Sequence, residues 1–241
     1  MTLKIFVSSH HKDYSLANEI KSFLEVFGLE VFVAHKDIEA SKDWIEVIHQ
    51  KIKDCNIFMP LLTKNFYKSQ WTDQESGIAY THHRRILSIK IDETPRGFIS
   101  KYQALYFDNS TEEDQRKREL MKIFDRIKTD FSQEIKNSLI NSLERPYTST
   151  YKIASSKIRL LNRMQPFSIA EINLILNKSS ENDQIHDNGL LISILKNWLT
   201  KYDKEILPEI KEKIEIVIRV PSEAEIEQLI DKEAVKDPTI S

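Results

Sequence analysis

Residues 55–62 read Cys-Asn-Ile-Phe-Met-Pro-Leu-Leu, a run that is apolar at almost every position. A strand of an antiparallel sheet with one face in water alternates apolar and polar residues, whereas a parallel strand covered on both faces is apolar nearly throughout. The run therefore predicts a central strand of a parallel sheet. Shorter β-prone runs lie before it at residues 3–8 and 29–33, and after it at residues 86–91 and 102–107.

Amphipathic helical stretches separate the five predicted strands. Residues 14–27 place apolar side chains every three or four positions, and Gly28 follows, where a helix commonly ends in a residue of positive φ. Three further helices are predicted, one from Trp44 with Ile45, Ile48 and Ile52 also on its buried side, and others over residues 70–83 and 111–131. Strands and helices that alternate at steps of about 20 residues form right-handed βαβ units. The sequence therefore predicts an α/β fold with a doubly wound, five-stranded parallel sheet.

The second half of the chain lacks β-prone runs but keeps the helical period. Helices are predicted near residues 133–144, 149–164, 168–178, 190–203, 205–218 and 222–234. We therefore predict two domains, an α/β domain of residues 1–131 and an all-helical domain of residues 132–241. The apolar stripes of the later helices, such as the one from Leu190 to Tyr202, are typical of a helical core, although a partner protein could also bind such a stripe.

The composition excludes several classes of function. The chain has 35 Lys and Arg residues against 37 Asp and Glu residues, and general binding to nucleic acids or membrane surfaces needs a basic surplus or a basic face. It has only four glycines and neither a Gly-x-Gly-x-x-Gly nor a Walker motif, so by motif it is not a Rossmann dehydrogenase or a P-loop NTPase. No recurring His and carboxylate spacing supports a metal site. The single cysteine, Cys55, excludes an intrachain disulfide and is interpreted as a small buried hydrophobe rather than a nucleophile.

The sequence carries no apolar stretch near the roughly 20 residues that span a bilayer. Its N-terminus leads directly into the first predicted strand, without the apolar core and cleavage site of a signal peptide. We therefore expect a cytoplasmic protein that makes no membrane contact.

Polar residues follow the predicted strands at the edge where an open parallel sheet binds ligands, outside the carboxyl ends of the strands. They are Ser8, Ser9, His10 and His11 after the first strand, Glu39 after the second, and Trp71 and Glu75 after the third. His10 and His11 are able to donate to a phosphate or to carry protons, and they are also compatible with a polar pair in an exposed loop. On spacing alone, Glu75 is typical of a solvent-exposed residue on a helix.

Several short motifs, in their order and spacing, resemble those of a Toll/interleukin-1 receptor (TIR) domain. They are Phe6-Val7-Ser8-Ser9, the helix closed by Gly28, Val31-Phe32-Val33, Asp37-Ile38-Glu39-Ala40-Ser41-Lys42-Asp43-Trp44, the run at residues 57–62, and Ser69-Gln70-Trp71-Thr72-Asp73-Gln74-Glu75. The resemblance covers residues 1 to about 130. The fold that it implies, a flavodoxin-like five-stranded parallel sheet, agrees with the fold predicted from the pattern of strands and helices.

The resemblance also implies an activity. Many bacterial, plant and some animal TIR domains cleave NAD⁺ at the nicotinamide–ribose bond, using a glutamate four residues after a tryptophan on the helix that follows the third strand. Trp71 and Glu75 match this spacing, so the resemblance makes Glu75 the catalytic carboxylate and NAD⁺ a substrate, with no cofactor required. The substrate-binding residues that we predict are Ser8, Ser9, His10, His11, Glu39 and Trp71. Among them, Glu39 matches an acidic loop position near the substrate in some relatives. The chain departs from the family pattern at Ala34, where an acidic residue is common, and at Ser41, where a glycine is common. It also departs at Ser9, His10 and His11, which follow the first-strand serine where an aromatic or basic residue is common.

The resemblance further implies an effector of bacterial immunity against phage that is activated by self-association through its TIR domains. The helical domain would then regulate or assemble the enzyme, or bind a sensor or activating partner. Two alternatives stay open: a non-catalytic scaffold that signals through TIR–TIR contacts, and a nucleoside ribosyl-transfer relative that uses the same glutamate on another substrate. Hydrolysis and cyclisation to a cyclic ADP-ribose also stay open, because water or an adenine nitrogen can capture the ribosyl cation.

Overall fold

A computed structural model describes residues 2–34, 44–144, 163–182 and 189–219, together with Lys157, Leu160 and Leu161. The chain divides into two compact units, Met1–Ser138 and Leu139–Ser241. The sequence predicted a domain boundary between residues 131 and 132, and whether the chain up to that boundary folds by itself stays a prediction.

Among the described residues of the first unit, six short strands form the sheet. They are β1 (Lys4–Ser8), β2 (Glu30–Val33), β3 (Ile57–Leu62), β4 (Arg85–Ile86), β5 (Ile89–Lys90) and β6 (Leu105–Tyr106). Every pairing is parallel, and the strands lie in the order β2-β1-β3-β5-β6, with β4 also paired to β3. All residues of β3 are buried, as expected for a central parallel strand covered on both faces. The predicted α/β fold with a parallel sheet is confirmed.

The predicted fourth strand, residues 86–91, is divided into the two pieces β4 and β5. Both pieces pair with β3 in one continuous register. The carbonyl oxygens of Phe58 and Leu62 accept hydrogen bonds from this segment, so alternate residues of β3 direct their backbone polar groups towards it. Pro60 lies between these two residues and has no N–H to donate, and the ladder of hydrogen bonds is therefore interrupted there.

Four helices cover the sheet. They are α1 (Tyr14–Glu25), α2 (Trp44–Asp54), α3 (Gln70–Thr81) and α4 (Glu113–Asp130). Helix α1 contacts α4, and α2 contacts α3, an arrangement that fits a sheet with helices on both faces. Gly28 follows α1 with a φ of 76°, as predicted. The prediction that Ile45 is buried is wrong: its side chain is 53% exposed, because Trp44, Ile48 and Ile52 form the core-facing row at four-residue spacing and Ile45 lies beside that row.

The described residues of the second unit form helices joined by turns and include no strand, in agreement with the predicted fold class. Its helices are α5 (Ser132–Asn141), which begins in the first unit, α6 (Ile169–Ser180), α7 (Gly189–Lys201) and α8 (Pro208–Arg219). Helix α8 packs against α6 and α7, and Leu195 and Trp198 of the predicted apolar stripe are buried. Five residues of the helix predicted near 149–164 are described, namely Lys157, Leu160, Leu161, Arg163 and Met164. The helix predicted near 222–234 lies entirely outside the described residues. No helix within the described ranges is long and apolar enough to cross a membrane.

Candidate active site

The packing of β1 against α3 brings a serine and a glutamate together at the carboxyl end of the sheet. Ser8 shares a face of β1 with Phe6, which is two residues earlier, and Phe6 belongs to the same core cluster as Ala79 of α3. Glu75 precedes Ala79 by one helical turn and lies on the same face of α3. Ser8 Oγ donates a hydrogen bond of 2.5 Å to Glu75 Oε2.

Glu75 is a buried carboxyl group with only one of its two oxygens engaged. Its side chain is 1% exposed, so the expectation of a solvent-exposed helix residue is wrong. Oε1 is buried and has no hydrogen-bond partner within the described part of the chain. Burial raises the pKa of Glu75 to about 7, and the hydrogen bond from Ser8 acts against this rise. Near neutral pH the group is therefore balanced between its neutral and its anionic form.

A second buried glutamate, Glu119 on α4, shows how this chain satisfies a carboxylate that only stabilises the fold. Its Oε1 accepts hydrogen bonds from Lys122 Nζ at 2.5 Å and Gln115 Nε2 at 2.9 Å. Its Oε2 accepts a hydrogen bond from the backbone N–H of Asp108 at 3.2 Å. Buried polar atoms in native proteins are nearly all paired, and an unpaired one calls for an explanation such as a catalytic role. Glu75, unlike Glu119, has such an unpaired atom.

Trp71 lies one helical turn before Glu75, and this spacing puts the indole and the carboxyl group on one face of α3. The hydroxyl of Ser69 caps the start of the helix by accepting a hydrogen bond from the backbone N–H of Trp71 at 3.2 Å. The Trp71 ring contacts the ring of Trp44 edge to face, with their centroids 4.1 Å apart. The sequence predicted that Trp44 packs on the core but did not predict this contact. Glu39, the remaining predicted site residue of the neighbouring loop, lies outside the described residues.

The predicted pair His10 and His11 has one buried and one exposed member. Their rings are 4.1 Å apart, but His10 is buried and His11 is exposed, so the exposed-loop interpretation is wrong for His10. His10 Nδ1 accepts a hydrogen bond of 3.1 Å from the backbone N–H of Lys12. Burial, with a contribution from His11, lowers the pKa of His10, so the neutral ring is favoured. Ser9, between Ser8 and His10, is also buried.

Asp13, which the sequence analysis missed, ties the loop after β1 to the loop after β3. Its Oδ2 accepts a hydrogen bond of 2.6 Å from Thr63 Oγ1, and its Oδ1 accepts one of 3.0 Å from Asn65 Nδ2. These bonds join the loop after β1, the strand that carries Ser8, to the loop after β3, which leads to α3 and Glu75. No motif in the sequence marks Asp13, because its partners are some 50 residues away along the chain.

Other chemistry finds little support in the structure. Within the described ranges, no group of three or more His, Cys, Asp or Glu side chains is arranged to hold a metal ion. Cys55 is buried, its Sγ donates to the carbonyl oxygen of Ile52 at 3.2 Å, and burial raises the pKa of its thiol to about 12. A thiol with that pKa stays protonated, and the interpretation of Cys55 as a small buried hydrophobe is confirmed.

The first unit is thus an α/β domain with a buried, half-satisfied carboxyl group at the carboxyl edge of its sheet. Residues 5–121 match the family model of the TIR domain. The predicted TIR domain is therefore confirmed over these residues, which make up just under half of the chain. No curated protein sequence matches the chain significantly.

Solved structures similar to this chain include three of low sequence identity. The TIR domain of the Toll-related receptor TRR-2 from Hydra magnipapillata is 20% identical, with a TM-score of 0.42 over 52% of this chain and 97% of that chain. The Clostridium botulinum CMP N-glycosidase BcmB is 19% identical, with a TM-score of 0.37 over 50% of this chain and 98% of that one. The TIR domains of the activated Roq1 resistosome are 11% identical, with a TM-score of 0.35 over 68% of this chain and 100% of that one.

Proposed function

We propose that this chain is a TIR-domain enzyme that cleaves NAD⁺ between nicotinamide and ribose, with Glu75 as its catalytic carboxylate. One observation carries the proposal: a fully buried carboxyl group at the ligand-binding edge of the sheet keeps one oxygen without a partner among the described residues. Such a group costs stability and gains nothing for the fold. It is suited to bind something that is not part of the chain.

The proposed chemistry follows from the charge that develops during cleavage. When the bond between nicotinamide and C1′ breaks, its electron pair leaves with neutral nicotinamide, and positive charge develops on the ribose. The Glu75 carboxylate stabilises that charge electrostatically, and Oε1 accepts a hydrogen bond from a ribose hydroxyl. Water then forms a bond to C1′ and loses a proton. Alternatively, a ring nitrogen of the adenine of the same substrate forms the bond to C1′ and closes a ring, and the proton is lost from the adenine amino group. No cofactor is required, because NAD⁺ is the substrate.

The burial of Glu75 also fits a cationic substrate. The pKa of about 7 keeps part of the population neutral in the free protein. A positive charge close to a carboxyl group favours its anionic form, so the nicotinamide ring of NAD⁺ would ionise Glu75 as it binds. We assign Trp71, Ser9, His10, His11 and Glu39 to substrate binding as part of this proposal.

The direct test incubates the purified full-length protein with NAD⁺ and follows nicotinamide release and the identity of the second product. Glu75→Gln replaces the anion by a neutral amide of nearly the same shape, and we expect the rate to fall on the order of 10²–10³-fold. Asp73→Asn makes the same chemical change on an exposed side chain of α3 and serves as the matched control, with a rate near that of the wild type. A Glu75→Gln enzyme that keeps most of the wild-type rate contradicts the assignment.

The alternatives are separated by the same assay. A non-catalytic scaffold leaves NAD⁺ intact with every variant, whereas a nucleoside ribosyl-transfer enzyme cleaves another N-glycosidic bond. CMP is the comparison substrate, because the similar Clostridium botulinum protein is named as a CMP N-glycosidase. Cleavage of CMP and not NAD⁺, lost in Glu75→Gln, would replace the proposed substrate and keep the proposed carboxylate.

The cellular role that we propose is cytoplasmic defence of bacteria against phage, with activity switched on by self-association of the TIR domain. Uncontrolled cleavage of NAD⁺ is toxic, and the helical second unit is the candidate for the control element. A signal that binds the assembled state better than the resting state is sufficient for such control. NAD⁺ turnover and particle size of the full-length protein, with and without extract of phage-infected cells, test this proposal. Identical values in both conditions contradict it.

A further inference from the structure

We propose that Ser8 is a positioning residue rather than a substrate contact. Its hydroxyl donates a hydrogen bond to Oε2 of Glu75 and leaves Oε1 to accept a hydrogen bond from the ribose. This inference rests on the proposed function of Glu75 and assigns different tasks to the two oxygens of its carboxyl group. It also changes the role that the sequence predicted for Ser8, which was direct binding of the substrate.

The geometry of Ser8 carries the inference. A serine hydroxyl has one hydrogen to donate, and Ser8 donates it to Glu75 Oε2 at 2.5 Å. Its hydroxyl hydrogen is therefore already used when a ribose or phosphate arrives.

The place of Ser8 in the sheet makes it a rigid anchor. It is the last residue of β1, which pairs with β2 on one side and β3 on the other, and it aligns with Pro60 of β3. A glutamate side chain on a helix has three rotatable bonds, and ordering such a chain costs rotamer entropy. The hydrogen bond from a central strand holds the carboxyl group of Glu75 in one orientation before the substrate binds, which is the preorganisation that catalysis by a fixed charge requires.

Ser8 also favours the anionic form of Glu75. Burial and the Ser8 hydrogen bond act on the pKa of Glu75 in opposite directions, and among the described residues no other hydrogen bond to this carboxyl group is present. Without the Ser8 hydroxyl, burial acts unopposed and the pKa rises further. A rise of about one pKa unit from a value near 7 lowers the ionised fraction at pH 7 roughly fivefold.

The test measures the titration of Glu75 directly in the full-length protein. Carbon-13 NMR of labelled glutamate follows each carboxyl group with pH, and the resonance that disappears in Glu75→Gln identifies Glu75. We expect Ser8→Ala to move the titration of Glu75 to higher pH, Ser8→Thr to keep it near the wild type, and Ser8→Cys to fall between them because a thiol is a weak donor. If the alanine variant does not fold, the cysteine variant carries the same comparison.

Ser88 provides the matched control. Its side chain is also fully buried in the sheet, and its Oγ has no partner among the described residues. Ser88→Ala therefore removes a buried hydroxyl that makes no hydrogen bond to Glu75, and we expect the Glu75 titration to stay where it is. A shift of similar size in Ser88→Ala means that loosening of the core is the cause, and overturns the proposal.

Kinetics give the second readout. In Ser8→Ala, the anionic form of Glu75 is depleted mainly at lower pH. We therefore expect the rate of NAD⁺ cleavage, relative to the wild type, to be lowest near pH 6–7 and to recover towards pH 9. A loss that is equal at all pH values, with a raised KM and an unchanged Glu75 titration, shows Ser8 binding the substrate and overturns the proposal. If no variant cleaves NAD⁺, the proposed function fails, and the NMR titration still decides what Ser8 does to Glu75.

Discussion

Replacing Glu75 by glutamine removes a charge from the protein interior, and we expect the variant to gain stability relative to the wild type as the pH rises. The pKa of Glu75 is raised from 4.5 to about 7 in the folded protein, so the folded state binds the proton more tightly than the unfolded state. The stability that this provides is fully present below pH 4.5, declines as the pH rises towards 7, and is absent above that.

The size of the effect follows from the same two values. Each pKa unit corresponds to about 1.4 kcal/mol, so the wild type loses about 3 kcal/mol relative to Glu75→Gln across this pH window. Glutamine has no charge to lose, and its own fit in the site affects the difference equally at every pH. The comparison between low and high pH therefore isolates the cost of the buried charge.

The measurement is urea unfolding of the two full-length proteins, followed by circular dichroism at several values from about pH 5 to pH 8. Glu119→Gln is the control, because it removes a carboxylate that accepts three hydrogen bonds and leaves the Lys122 ammonium without its partner. We expect that variant to be less stable than the wild type at pH 8. An unchanged difference between wild type and Glu75→Gln at pH 5 and pH 8 would refute the reasoning, because Glu75 would then carry no cost of burial.

Three further predictions concern the reaction and the domain boundary. The kcat/KM for NAD⁺ cleavage rises with pH through about 7, since the free enzyme needs anionic Glu75, and a profile that is flat from pH 6 to 8 contradicts this. Specific activity increases with protein concentration if neighbouring TIR domains complete the site, and activity that is constant in a sample shown by light scattering to be monomeric contradicts this. A fragment ending at Asn141 melts at a higher temperature than one ending at Phe131, because buried Ile135 and Ser138 belong to the first unit and Ser138 Oγ accepts a hydrogen bond from the backbone N–H of Leu3. Equal melting temperatures of the two fragments contradict this.

The amino-acid sequence was sufficient to predict most strands and helices of the first unit and the TIR domain that matches residues 5–121. The apolar run of β3, the helical period before Gly28 and the motif from Ser69 to Glu75 are local patterns, and such patterns report on local structure because strand and helix periods repeat within a few residues. The same kind of pattern predicted that Cys55 is buried. The TIR domain followed from the order and spacing of several such segments.

Only the tertiary structure decided what surrounds each of these residues. The periodicity of α3 does not tell which of its residues meets the end of β1. Glu75 is buried where α3 meets the end of β1, beside Ser8, which is 67 residues away in the chain. The break between β4 and β5 depends on which side of β3 the nitrogen of Pro60 faces. His10 is buried and His11 is exposed, although the two are adjacent in the sequence. Burial and hydrogen bonding between distant segments determine the pKa of a side chain and which of its atoms have a hydrogen-bond partner. These long-range contacts exist only once the sheet has formed.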